Sequence, residues 1–350
     1  MKTISTLLSL SLVMFLSNAQ SIEKFSIDSG GASVTAGGIQ MLYTIGEVNV
    51  QELSAGGISV SEGFINADLK ISINPKLFLQ GPILNPTNAG LMNDDLRASG
   101  YIPTTSPYSD AATCNASVFN VTGTNAIVDW VWLELRDKTD NTSVILSQSA
   151  LLQRDGDVVA TDGVSNINLN VASDDYFVVV NHKNHLGIMT NTPVAITRSS
   201  GPSVIDFTDV NTTTYGTQAQ ATLTSGAKAL WAGDVNGDGL VNFAGDVNGV
   251  TTDIILFSAN TDFNTNYDFV NGYFKSDVFL DGNVSFSNEV NQILLSVILY
   301  PLNTGFNSQY NLFAEQLPSP SALRSTAQLS LDQLRLERAL EIIELINNNN

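Results

Sequence analysis

The sequence predicts a mainly β protein in which an antiparallel β-sandwich is flanked by a small N-terminal strand unit, a duplicated acidic-loop domain and a C-terminal helix. Three observations carry this prediction. Short strand-like apolar runs alternate with loops rich in Asn, Thr, Ser, Gly and Pro, the spacing expected of a sandwich. Ile127 to Leu135 is nearly continuous apolar sequence, as a strand buried on both faces requires. From Asp234 an acidic, glycine-bearing loop precedes an apolar run, and a degenerate copy follows at an offset of 43 residues.

Taken in chain order, Met1-Lys2, the apolar run Leu7 to Leu16 and Ser17-Asn18-Ala19-Gln20 have the form of a secretory signal peptide over residues 1–19. The apolar core is short for a membrane anchor, no Cys follows Ala19 to take a lipid, and no later stretch is apolar enough to span a bilayer. The expectation is a secreted or cell-surface protein with no transmembrane segment after cleavage. Residues 20–70 are glycine-punctuated alternating runs, read as an N-terminal β unit. Residues 71–225 form the expected sandwich, with strands over Lys76 to Gln80, Ile127 to Leu135 and Tyr176 to Val180. Residues 226–318 are the loop-repeat domain, its apolar runs at Asp253 to Phe257 and Ile293 to Leu299. Residues 319–350 comprise a linker and an amphipathic helix from Ser330, where Ser330 and Gln333 fit a capping box; this helix is the candidate oligomerising element.

The chain holds 34 acidic against 15 basic residues, a formal charge of −19. That balance excludes nucleic acid as a partner and suits divalent cations. With Cys114 alone, no intramolecular disulfide is available, so stability must come from packing and from metal.

Asp234-Val235-Asn236-Gly237-Asp238-Gly239-Leu240-Val241-Asn242 is the most specific motif. Calcium takes six to eight oxygens. Asp234, Asn236 and Asp238 at positions 1, 3 and 5 supply side chains, the glycine at position 6 permits the bend, and Leu240 offers its carbonyl at position 7. Position 12 is Gly245 rather than a carboxylate. Asp253, opening an apolar run, is the favoured closing ligand, with Asp246 as runner-up. In the second loop Asp277 and Asp281 keep positions 1 and 5 and Gly282 keeps position 6, but Phe279 replaces the position-3 Asn and Ser285 replaces Asn242. Metal binding there is open either way.

The doubled loop is similar to dockerin-type calcium repeats, which pair two loop–helix units, so the acidic-loop domain is expected to be dockerin-like and to use calcium. More of the chain, roughly residues 25–318, resembles exported surface proteins of Bacteroidetes. Leu42 to Val48 with Gly63-Phe64 resembles their leader, and Phe78 to Pro82, Val128 to Val131, Gln153 to Asp157 and His182 to Gly187 resemble a module that precedes calcium loops in such proteins. The resemblance implies a surface or adhesin-like protein, with a cell-surface component or glycan as partner.

No nucleophile elbow, phosphate loop, zinc-protease helix or dinucleotide fingerprint is present, so a non-catalytic protein is expected. The alternative is a secreted carbohydrate-binding or glycoside hydrolase-like protein. Acid pairs are plentiful for the latter, and Trp130, Trp132 and Trp231 are candidate aromatics for the former. His182 and His185, the only histidines, read as a structural pair at a strand end. Asp129 lies within an apolar strand and needs a donor, for which Arg154 is the expected partner.

Overall fold

A computed structural model describes residues 30–36, 39–45, 52–55, 58–61, 70–198, 201–256, 269–310 and 313–318. The signal peptide and the C-terminal amphipathic helix expected from sequence lie outside these residues. The chain divides into two compact units, Met1–Asp68 and Leu69–Asn350.

In the first unit β1 (Gly30–Ala36) pairs antiparallel with β2 (Ile39–Ile45), and β3 (Glu52–Ala55) with β4 (Ile58–Ser61). A Gly-Gly dipeptide separates the partners in each case, as tight connections favour.

The second unit is also mainly β. Its strands are β5 (Lys70–Lys76), β6 (Ile127–Asp137), β7 (Val144–Gln153), β8 (Val158–Val159), β9 (Ile167–Asn170), β10 (Asp174–Asn181), β11 (Ile188–Met189), β12 (Val194–Ile196), β13 (Ser203–Asp206), β14 (Gln220–Thr222), β15 (Lys228–Leu230), β16 (Phe269–Asn271) and β17 (Asn283–Ser285). The largest sheet runs β11-β10-β6-β7-β8, with β12 also on β10. β6 lies between β7 and β10, and nine of its eleven residues are buried, which explains why its sequence lacks alternation. A three-stranded sheet runs β13-β5-β9. Ile71, Ile73, Ile167, Leu169 and Ile205 from that sheet share one core with Trp130, Leu133, Leu151, Val178 and Val180 from the larger one. One pairing departs from the antiparallel expectation: β13 runs parallel to β5.

The expected strand over Lys76 to Gln80 is a second difference. β5 stops at Lys76, and the next residues bond singly to distant segments: Leu77 N–H donates to the Gly156 carbonyl and Leu230 N–H to the Phe78 carbonyl. A short turn, α1 (Gln80–Ile83), follows, and then α2 (Asp95–Ala98). The boundary expected at 225/226 falls inside the turn between β14 and β15, where Leu223 N–H donates to the Ala227 carbonyl.

Two longer helices, α3 (Phe243–Leu256) and α4 (Phe286–Leu299), have 14 residues each and keep the offset of 43. Their core is duplicated in the same register. Val235 and Val278, Val241 and Val284, Val250 and Ile293, and Ile254 and Val297 are all buried in one cluster. Helical spacing of these residues, four apart within each helix, gives each helix one apolar stripe, and the two stripes close on each other.

Candidate metal centre

The first loop leaves β15 through Trp231 to Gly233. This lead-in is held by Leu186 N–H on the Trp231 carbonyl and Gly233 N–H on the Asn184 carbonyl. Asp234 then turns inward. Its Oδ1 accepts from Gly237 N at 2.9 Å and Asp238 N at 3.1 Å, and its Oδ2 from Gly239 N at 3.1 Å. Gly239 has φ +79°, a conformation that L side chains rarely adopt. Asn236 and Asp238 sit at the exposed mouth, joined by a 3.0 Å bond from Asn236 Nδ2 to Asp238 Oδ2. Leu240 N–H donates to Asp238 Oδ1 at 2.9 Å, and Leu240 bridges to Ala314.

The carboxylate that closes this loop is Asp246, fully buried in the first turn of α3. Its Oδ1 accepts from Val235 N at 2.9 Å and its Oδ2 from Asn242 N at 2.7 Å. Helical side chains lean toward the N-terminus, so a residue one position beyond the usual twelfth still reaches back. Asp253, preferred on sequence grounds, is instead two turns further along α3. Its Oδ2 accepts from Ser276 Oγ at 2.6 Å, which ties α3 to the second loop.

The second loop repeats the arrangement with changed side chains. Asp277 Oδ1 accepts from Asp281 N at 3.1 Å and Oδ2 from Gly282 N at 2.8 Å, while Asp281 Oδ1 accepts from Asn283 N. Glu289 stands where Asp246 stands, 43 residues on, and its Oε2 accepts from Val278 N at 3.0 Å. Its other oxygen, Oε1, is buried without a hydrogen-bond partner among the described residues. Sequence reasoning missed Glu289. The signal was available in the repeat, since the alignment that pairs Val247-Asn248 with Val290-Asn291 also pairs Asp246 with Glu289.

These carboxylates lack cationic partners: among the described residues none of Asp234, Asp246, Asp277, Asp281 or Glu289 forms an ion pair. Burial pushes Asp234 up to about 6, the loop amides opposing it and the charges of Asp238 and Glu315 adding to it. Burial and the Asp234 charge push Asp246 to about 7, against its amide bonds. Burial pushes Asp277 to about 7; Lys183 opposes and Asp281 adds. Burial, Asp277 and Asp281 push Glu289 to about 10. Metal-free, each loop therefore holds its charge only against a large cost, which a proton or a bound cation offsets. The donor set is all oxygen, which suits a hard cation such as calcium or magnesium. Among the described residues no three His, Cys, Asp or Glu side chains form a ready metal cluster. A hard cation at the first loop would have to draw on Asn236 and on carbonyls such as that of Leu240, as well as on Asp234, Asp238 and Asp246.

The histidine pair is a buried polar network beside the second loop. His182 and His185 are 7% and 2% exposed. Gly81 N–H donates to His185 Nε2 at 3.2 Å, so the neutral ring carries its proton on Nδ1. That nitrogen lies 2.8 Å from Asn184 Oδ1 and 3.1 Å from His182 Nδ1. His182 in turn presents Nε2–H to Asp129 Oδ2 at 3.1 Å. Burial lowers both histidines, His185 further than His182. Asp129 does not pair with Arg154 as expected. It accepts from Lys183 Nζ at 2.7 Å, Tyr273 Oη at 2.6 Å and Trp130 N at 2.8 Å. Burial raises Asp129, but Lys183 and His182 outweigh it and hold the carboxyl far below the usual range. Arg154 is directed to the Met92 carbonyl and Asn88 Oδ1, because its strand turn faces the 88–94 segment.

The same cluster joins the sheets to the loops. Asn184 Nδ2 donates to the carbonyls of Lys275 and Asp277 at 2.7 and 2.6 Å. A Cβ on Gly81 would collide with the Val278 carbonyl, so glycine is required for this approach. The segments Phe78 to Pro82 and His182 to Gly187 therefore build one junction. Trp130 and Trp231 are buried, whereas Trp132 is half-buried beside Tyr108 at 5.6 Å; the three do not form one exposed aromatic face. No helix among the described residues is long and apolar enough to cross a membrane. No known family model matches the sequence, and no curated protein or solved structure is significantly similar to it.

Proposed function

We propose that this chain is an exported, non-catalytic cell-surface or secreted scaffold with an adhesin-like role, in which calcium locks the duplicated loop–helix unit against a β-sandwich. The observation that supports this reading most is the burial of Asp234 and Asp246 on the amides of one loop without a cationic partner. A hard cation removes the repulsion that raises both acids and lets the loop keep its amide bonds. Asp238, Asn236 and the Leu240 carbonyl are the remaining ligands of the first site; Asp277, Asp281 and Glu289 are those of the second. The buried and mutually bonded state of His182, His185, Asp129 and Lys183 favours a structural role for that cluster over chemistry. The resemblance to dockerin-type repeats and to exported proteins of Bacteroidetes points the same way. The test is thermal unfolding in calcium and in chelator. Calcium raises the melting temperature of the native chain, and Asp234→Ala combined with Asp238→Ala removes the rise; identical curves for the native chain in the two buffers would overturn the metal role.

A further inference from the structure

Beside the second loop lies an open cleft of about 450 Å³, between the 81–95 segment and the outer face of α4. This volume is within the range of small-ligand sites, roughly 300–1,000 Å³. Its lining is unusual for an acidic protein. Five carboxamides, Asn85, Asn93, Asn288, Asn291 and Gln292, surround Phe279, and no Lys or Arg contributes. Asn93 is committed to the loop it sits in, with Oδ1 on Thr87 N and Nδ2 on the Asn85 carbonyl. Gln292 donates to Ser296 Oγ. Asn85, Asn288 and Asn291 are exposed, and among the described residues their side chains have no hydrogen-bond partner. Asn288 and Asn291 are three apart on α4, hence on one face.

We propose that this cleft binds a neutral glycan. A carboxamide offers a donor and an acceptor on one planar group, and a sugar hydroxyl is both acceptor and donor, so each free Asn can bond a hydroxyl in either sense. Phe279, with Leu295, supplies an apolar face for the C–H side of a pyranose, within a cleft lined mostly by polar residues. Asp95 and Asp281, also in the lining, add acceptors and repel anionic ligands such as uronic acids or phosphates. A basic peptide would use the two carboxylates and its carbonyls can accept from the carboxamides; the neutral ligand is favoured because carboxamides outnumber carboxylates five to two in the lining. Phe279 also explains a departure in the second loop: it replaces the position-3 Asn and its ring lines the cleft. The cleft beside the first loop is lined instead by Asn236, Asn248, Asp253, Tyr273, Phe274 and the cationic side chain of Lys275.

This inference rests on the proposed adhesin-like role and names its ligand class; of the lining residues only Asp281 is also a proposed calcium ligand, and the carboxamide variants touch no metal ligand, so the two failures are read separately. The test is saturation-transfer NMR and calorimetry of the full chain, in calcium, with neutral oligosaccharides (β-gluco-, xylo-, manno- and malto-series). Oligogalacturonate and an oligolysine peptide serve as comparators. Asn288→Ala with Asn291→Ala changes two exposed helix positions to a better helix former, so the fold is retained; the melting temperature checks this. The proposal expects at least one neutral series to bind, tenfold or more weaker in the double variant, and unchanged in Asn248→Ala. It is overturned if no neutral series binds, if the double variant binds as the native chain does, or if only the peptide binds.

Discussion

Asp246 offers the sharpest perturbation of the first loop. It is fully buried and accepts from Val235 N, Asn242 N and, more weakly at 3.4 Å, Asn236 N. In Asp246→Ala the Asn242 amide loses its acceptor, whereas Val235 N–H keeps its 2.9 Å bond to the Gly233 carbonyl. The loss in chelator is about 1–2 kcal/mol. In calcium the contribution of the bound ion is lost as well. Asp246→Asn is different. It keeps one oxygen for Val235 and removes the repulsion from Asp234, but its Nδ2 faces the Asn242 N–H that Oδ2 accepts from, so in chelator it should cost about 1 kcal/mol. In calcium it should fail. A site with a Kd of about 10⁻⁵ M, at calcium near 1 mM, stabilises by about 2.7 kcal/mol, equivalent to roughly 4 °C in a chain of this size. Scanning calorimetry in both buffers should show the Asn variant losing most of that calcium increment, over and above its small deficit in chelator. An Asn variant that keeps the whole increment would refute the assignment of Asp246 as a ligand.

Three further outcomes follow from the same geometry. In chelator, unfolding free energy should rise as pH falls from about 9 to about 7, because Glu289, then Asp246 and Asp277, take up protons in the folded chain well above their unfolded values of 4.5 and 3.8. The slope should be on the order of 1–2 kcal/mol per pH unit and should flatten in saturating calcium; denaturant titrations at a series of pH values check it. In calcium, stability should then fall below about pH 6.5, since His182 and His185 are depressed from 6.5 when folded. The unfolded chain binds the extra protons, at about 1.4 kcal/mol per pH unit for each ring, and His185→Gln should shallow the fall. Asp129→Ala should cost about 3–5 kcal/mol, because it leaves the Lys183 ammonium buried and unpaired; a double-mutant cycle with Lys183→Met should recover much of the loss, and simple additivity would contradict the pairing.

Much of the fold was legible because periodicity reports burial. β6 was readable from its unbroken apolar run, since a central strand needs apolar residues on both faces. The pair α3 and α4 was readable as a duplication, since the loop motif and the apolar positions recur together. What was not legible depended on contacts distant in sequence. Asp129 is paired by Lys183 and Tyr273, 54 and 144 residues away, and charge alone made Arg154 an equally plausible donor. Lys76 to Gln80 has strand composition but bonds to Gly156 and Leu230 one residue at a time, a pattern no local period encodes. The sequence ranked Asp253 above Asp246 as closing carboxylate, although side-chain lean along a helix brings the thirteenth residue onto the loop. Glu289 was overlooked although the repeat pairs it with Asp246; its unpaired buried oxygen appears only in the folded chain.

The most direct measurement is calorimetric titration of calcium into chelator-treated native chain near neutral pH. The account predicts saturable uptake of at least one ion per chain with a Kd of about 10⁻⁴ M or tighter, lost from the first loop in Asp234→Ala with Asp238→Ala. Absence of uptake at millimolar calcium, in a chain shown to be folded, would contradict it.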